Sequence, residues 1–165
     1  MNDFDYYYEM SVNVNSKTEQ VVFNGRDEKV YTLRRFNKGL IDKILTYREP
    51  KSCVNVLIED LKNTQVIVTE SWSFKRKFII KHQANVEPIS AQANPRKFET
   101  ILDGDKYSFV KSDNSNRTLY KNNKKVLESI TERKGFTLNN YLKIYNEEID
   151  IKLALACLHT FIIAY

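Results

Sequence analysis

Two histidines and two cysteines have the widest chemical range in this chain, and their spacing argues against joint use. His82 and His159 are its histidines, Cys53 and Cys157 its cysteines. Cys157 precedes His159 by two positions. On a helix that spacing turns the side chains to different faces, so a thiolate–imidazole pair is not assembled there. His159 lies in an apolar run, where a hydrogen-bonded core histidine is the expectation. His82 sits at a strand end among Lys75, Arg76, Lys77 and Lys81 and reads as a surface residue. Cys53 reads as a strand-packing residue. The cysteines form no CxxC, so neither a disulfide framework nor a zinc ribbon is available. Carboxylates cluster at Glu59/Asp60, Asp103/Asp105 and Glu147/Glu148. Each falls at an expected turn, where solvated carboxylates are ordinary, and Asp103-Gly104-Asp105 lacks the ligand set of a calcium loop. No GxGxxG, P-loop, HExxH or GxSxG occurs. With no nucleophile, base and orienting group to combine, the sequence reads as non-enzymatic, with no cofactor and no metal.

Basic residues carry more information. Arg34, Arg35 and Lys38 fall near one strand end. Lys75, Arg76 and Lys77 lie between two strands, beside Trp72 and Phe74. Lys121, Lys124 and Lys125 bracket Asn122-Asn123. The chain has 165 residues with a formal charge of +5, unevenly spread. Residues 1–28 carry two basic and six acidic groups; the rest carries 24 basic and 15 acidic ones. A basic body favours an anionic partner: lipid headgroups, nucleic acid or an acidic protein. A solvated basic surface with no such partner is the competing reading.

The elements that must position these groups are mostly short strands. Composition is globular, at 42 % hydrophobic and 28 % charged, and the length is that of one domain. Tyr6, Tyr8, Met10, Val12 and Val14 alternate with polar neighbours, a period of two that marks a half-buried strand. Further strands are expected at 21–23, 29–36, 53–60, 64–74, 76–82, 97–102, 106–111, 117–121, 124–131 and 136–144. Asn24-Gly25, Asp103-Gly104 and Asn122-Asn123 supply hairpin turns. Residues 83–95 are polar and read as a loop. Leu40, Ile41, Ile44 and Leu45 fit one face of a short helix over 39–48 that Pro50 stops. The regular spacing predicts a barrel or sandwich. The N-terminal MNDFDYYYEM has neither the basic region nor the apolar run of a secretion signal, which predicts a cytoplasmic protein with reduced thiols.

The end of the chain is different. Asp150 is a good helix N-cap, and in the following IKLALACLHTFIIAY apolar residues cover every face of a helix, which must therefore be buried all round. The run is short of the ~20 residues that span a bilayer, so the favoured reading is a helix inside a closed barrel, with a membrane anchor as the alternative.

A basic all-β body of about twelve strands ending in a buried apolar helix resembles the tubby C-terminal-like superfold, which includes tubby domains, phospholipid scramblases and LURP-one-related proteins. FTLNNYLKIYNEEIDIKLALACLHTFIIAY carries most of the resemblance: a last strand, an acidic turn and the closing helix. VYTLRRF and NVLIEDLKNTQVIVTESWSFKRKFIIK are similar to the family's repeated hairpins. The chain lacks the Pro-rich or Cys-rich extension of scramblases and is far shorter than animal tubby domains, so it looks like a compact, bacterial-type LURP-one-like member. The resemblance implies one domain over 1–165. Its fold would be a closed antiparallel β-barrel (roughly 5–144) threaded by a central hydrophobic helix (roughly 150–164). Tubby domains bind phosphoinositides through basic residues on the barrel. That implies a non-catalytic module, cytoplasmic or peripheral at the membrane, recognising anionic phospholipids through basic clusters in general; the clusters of this chain offer Arg34, Arg35, Lys38, Lys75, Arg76, Lys77, Lys124 and Lys125 as candidates. The alternative is a protein-interaction domain using Phe4, Tyr6, Tyr7 and Tyr8 as an exposed edge strand. Nucleic-acid binding would rest on Trp72, Phe74 and Phe78 near Lys75–Lys77.

Overall fold

The computed structural model describes residues 4–13, 16–71, 76–82, 88–146 and 148–165. Twelve strands and two helices follow one another: β1 (Tyr6–Ser11), β2 (Gln20–Asn24), β3 (Lys29–Arg35), α1 (Leu40–Arg48), β4 (Asn55–Asp60), β5 (Gln65–Ser71), β6 (Lys77–His82), β7 (Ile89–Asn94), β8 (Lys97–Leu102), β9 (Asp105–Lys111), β10 (Asn116–Lys121), β11 (Lys124–Lys134), β12 (Thr137–Ile144) and α2 (Ile151–Ala164). Each strand pairs antiparallel with the next, and β1 pairs with β12, which closes the barrel. Closure leaves no free strand edge in the sheet.

Two hairpin turns follow from their sequences. Asp103 and Gly104 take φ of 51° and 84°, Asn122 and Asn123 of 49° and 67°. Two consecutive left-handed residues match the twist of a tight hairpin, and Asn and Gly reach that region at least cost. The interior follows the period of two: Tyr8 and Met10, Val66 and Val68, Phe78 and Ile80 point inward and are buried. β7 corrects the sequence expectation of a loop over 83–95. ISAQAN has weak strand propensity, but it lies between β6 and β8 and buries Ala91 against the core. Pairing on both sides outweighs propensity here.

α2 fills the barrel. Leu153 to Ala164 are all buried, and the helix meets β4 and β5 as well as Tyr8 of β1 and Phe98 of β8. Phe78, Phe98, Phe161 and Tyr165 form an aromatic series from wall to helix, with centroids 5.5, 6.3 and 5.8 Å apart. Asp150 caps the helix, accepting from Leu153 N at 2.9 Å, and its other oxygen lies 2.9 Å from His82 Nε2. At the far end Arg76 donates to Ala164 O at 2.7 Å and Lys51 to Tyr165 O at 3.1 Å. The helix has no basic residue in its own last turn. These two cations from outside it meet its partial negative charge. Among the described residues no helix is long and apolar enough to cross a membrane.

Strand parity fixes which loops share an end. The strand ends at Ser11 and Gln20, Arg35 and Asn55, Ser71 and Lys77, Asn94 and Lys97, Lys111 and Asn116, and Lys134 and Thr137 lie at one end, with α1 and the C-terminus of α2. The strand ends at Asn24 and Lys29, Asp60 and Gln65, His82 and Ile89, Leu102 and Asp105, and Lys121 and Lys124 lie at the other, with the N-terminus of α2.

Candidate functional site

The basic groups separate between these ends. Arg34 and Lys38 flank the β3–α1 connection, and Lys77 opens β6; all three are exposed at the α1 end. Lys124 and Lys125 are exposed at the opposite end, so the clusters do not form one surface. Lys125 pairs with Glu128 at 2.8 Å and lies 4.3 Å from the Tyr145 ring centroid; Lys121 pairs with Asp105 at 2.9 Å. Each of these lysines has its ammonium pKa raised, first by the hydrogen bond to that carboxylate. Lys75 lies outside the described residues.

Two of the expected surface arginines face inward. Arg35 is 1 % exposed and donates to Pro50 O and Ser52 O, both at 2.7 Å, tying down the segment after α1. Burial lowers its pKa from the ordinary guanidinium value. Arg76 pairs with Glu70 at 2.7 Å, besides Ala164 O and the Lys51 carbonyl, and lies 5.1 Å from the Tyr165 ring centroid. Its guanidinium joins β5, the α1–β4 connection and α2. Adjacent residues of a strand face opposite sides. One of Arg34 and Arg35, adjacent in β3, therefore turns inward, and sequence spacing alone does not say which; Arg76 lies just before β6 and is drawn in by Glu70 and the Ala164 carbonyl.

Three further cations lie on or beside α1, and sequence reading missed them: Lys17, Lys43 and Arg48. An open cleft between the 11–20 connection and α1 is lined by Lys17, Arg34, Asn37, Leu40 and Lys43, and it continues along Ile44, Tyr47 and Arg48. Among the described residues, no carboxylate pairs with Lys17, Arg34, Lys43 or Arg48 at ion-pair distance. Lys38 instead donates to Glu70 O at 3.0 Å.

α1 itself is turned opposite to a packing helix. Leu40, Ile41, Ile44 and Tyr47 are exposed, by 73, 65, 51 and 88 %, while Asp42 and Thr46 are buried. Asp42 Oδ2 accepts from Asn55 Nδ2 at 2.8 Å and from Lys38 N at 3.0 Å. A buried carboxylate must keep such donors, so its bonds lock the roll of the helix.

The groups considered for catalysis have structural work. His159 is fully buried, with Nδ1 3.3 Å from the Tyr8 hydroxyl. Burial first, then Arg35, pushes its pKa down to about 3, so the ring stays neutral. Burial pushes the Cys157 thiol up. Cys53 is not in a strand: it takes φ of 49° just before β4, and burial raises its thiol too. His82 is half-buried against Asp150 rather than on the surface. Asp60 accepts from Thr64 and from Lys152 Nζ at 2.9 Å, contacts that hold it well below the usual carboxylate range. Asp105 is engaged by Lys121 and by Asn122 Nδ2 at 2.6 Å. Among the described residues no group of His, Cys, Asp and Glu is placed to hold a metal ion.

The N-terminal aromatics offer no free edge. β1 is paired with both β12 and β2, Phe4 stacks on Tyr141 at 4.9 Å, and Tyr7 on Phe23 at 5.3 Å. Phe78 is buried in the core and cannot stack on a base; Trp72 and Phe74 lie outside the described residues.

A family model described as the Tubby C-terminal like domain matches residues 6–165. No curated protein and no solved structure matches the chain.

Proposed function

This chain belongs to the family of Tubby C-terminal like domains, which are binding modules, and on that footing we propose that it docks peripherally on membranes carrying anionic phospholipid headgroups. The contact face is the α1 end of the barrel, with Lys17, Arg34, Lys38, Lys43, Arg48 and Lys77 as its cations. No chemical step is involved.

One observation carries the reading. Lys17, Arg34, Lys43 and Arg48 line or border one cleft at that end with no carboxylate at ion-pair distance among the described residues, whereas at the other end Lys121 and Lys125, though not Lys124, are paired with Asp105 and Glu128. Unpaired cations on one side give a directional field, and each contributes about 1 kcal/mol near an anionic membrane surface. Arg35 and Arg76 serve this face indirectly, by fastening the segments that present it.

Co-sedimentation with phosphatidylcholine vesicles and with vesicles containing phosphatidylserine, at low and physiological salt, tests the proposal. Binding to anionic vesicles alone, weakened by salt and by Arg34→Ala with Lys43→Ala, is the expected outcome. Absence of binding at low salt refutes it.

A further inference from the structure

We propose that α1 is an interfacial insertion helix: Leu40, Ile41, Ile44 and Tyr47 enter the acyl boundary of the bilayer while the surrounding cations hold its anionic headgroups. The inference rests on the docking reading above and adds to it a second, apolar mode of attachment.

Four features support it. First, the apolar residues recur at helical spacing and form one continuous exposed ridge. Burying them against the barrel would have been the ordinary outcome for an amphipathic helix. Second, the ridge faces outward by construction. Asp42, on the opposite side of the helix, is held by Asn55 and by the Lys38 amide, so α1 cannot roll to cover its apolar side without stripping a buried carboxylate of its donors. Third, cations predominate around the ridge, with the exposed Glu49 at the C-terminal cap of α1 as the acidic neighbour. Lys43 and Arg48 flank it on α1 itself, Lys17 and Arg34 line the adjoining cleft, and the one carboxylate within α1 is the buried Asp42. Long basic side chains beside an apolar strip can keep their charges at headgroup level while the strip enters deeper, and a tyrosine suits the boundary between the two. Fourth, size agrees with this placement. Nine residues at 1.5 Å each make a helix of about 13 Å, far too short to span and suited to lying in the interface plane.

An anionic bilayer matches both parts of this surface, an apolar layer beneath negative charge, and is the occupant assigned here. An acidic protein groove or a second copy of the chain would satisfy only the test outcomes that overturn the proposal.

Two measurements on the full chain decide it. In the first, Ile41→Asp with Ile44→Asp is compared with the unchanged protein on vesicles of phosphatidylcholine with phosphatidylserine. Both positions are exposed, so circular dichroism and the melting temperature should match. The variant should lose at least about tenfold in partitioning, as expected when buried methylenes are exchanged for charge. In the second, Tyr47→Trp is combined with Trp72→Phe, which puts the single indole on α1. Its emission should shift to the blue on anionic vesicles and be quenched by lipids brominated along the acyl chain.

If the unchanged protein binds no anionic vesicles, the docking reading and this one fall together. If it binds, but the variant binds equally and the indole stays unquenched, insertion alone is refuted and docking is purely electrostatic. If the unchanged protein forms a dimer that Ile41→Asp with Ile44→Asp dissolves, the ridge is a protein interface and insertion is likewise refuted.

Discussion

Tyr8 and His159 meet inside the barrel with the phenol oxygen 3.3 Å from Nδ1, across 151 positions of chain. The contact ties the first strand to the closing helix, and the rings pack edge to face at 5.6 Å. His159 Nε2 has no partner among the described residues. A neutral imidazole is tolerable in that setting, whereas an imidazolium would be left with a buried, uncompensated charge.

That setting predicts a pH dependence. In the unfolded chain a histidine takes up its proton near pH 6.5, while His159 in the folded protein resists protonation down to about 3. Between those values the unfolded state binds more protons, so stability is complete above pH 6.5 and falls as the solution is acidified. The slope from this group is at most about 1.4 kcal/mol per pH unit. Urea midpoints at pH 7 and pH 5 should show the loss, and His159→Leu should flatten it. An NMR titration in which the His159 ring of the folded protein protonates near pH 6 would refute the assignment.

Arg76 and Arg34 should behave as different classes. Arg76→Ala removes the partner of Glu70 and the donor to Ala164 O. A loss of about 1–3 kcal/mol in unfolding free energy is expected from the groups left unsatisfied. Arg34→Ala should leave stability within about 0.5 kcal/mol, as for an exposed position, while weakening vesicle binding. Lys124→Ala with Lys125→Ala, at the far end, should leave binding unchanged. Paired chemical denaturation and co-sedimentation read both effects, and equal vesicle binding by the Arg34 and Lys124/Lys125 variants would refute the separation of the two ends.

Asp42→Ala should destabilise the protein by about 1–3 kcal/mol, because the Lys38 N–H loses its acceptor and the Asn55 amide keeps only its longer bonds to the Phe36 and Cys53 carbonyls. It should also free α1 to roll or fray. Limited proteolysis gives the readout: new cleavage within residues 39–50 is expected, and an unchanged digest would show that something other than Asp42 holds the helix.

Phe161 sits between Phe98 and Tyr165 at the centre of the barrel and is 1 % exposed. Phe161→Ala should cost about 3–5 kcal/mol, the transfer term plus the cavity left behind. Truncation after Glu148 removes α2 altogether and should leave the barrel unable to fold, seen as loss of soluble product. A soluble, cooperatively melting truncation would show that the barrel needs no central helix.

Much of the fold is legible in the residue order because it depends on local pattern. Tyr6, Tyr8 and Met10 alternate because a pleated strand has two faces. Asn122-Asn123 turns because both residues tolerate positive φ. Leu153 to Ala164 is apolar on every side because the barrel surrounds it, and Asp150 announces where the helix begins. β7 is not legible, since ISAQAN becomes a strand only between two neighbours that supply its hydrogen bonds.

Of the candidate site, the residue order shows that cations cluster, but not which of them share a surface. The anionic partner proposed above starts from a basic composition, which is read directly from the sequence. Which cations act together depends on strand parity around a closed ring, which sets Arg34, Lys43 and Lys17 at one end and Lys124 and Lys125 at the other. Whether an arginine is surface or scaffold depends on carbonyls distant in the chain: Pro50 and Ser52 for Arg35, Ala164 for Arg76. α1 makes the same point. Its apolar spacing predicts a helix correctly, but the direction of its apolar face is set by Asp42 meeting Asn55 from β4. Helical periodicity is a property of neighbours in sequence, whereas burial of a carboxylate requires a donor that only the folded chain brings near.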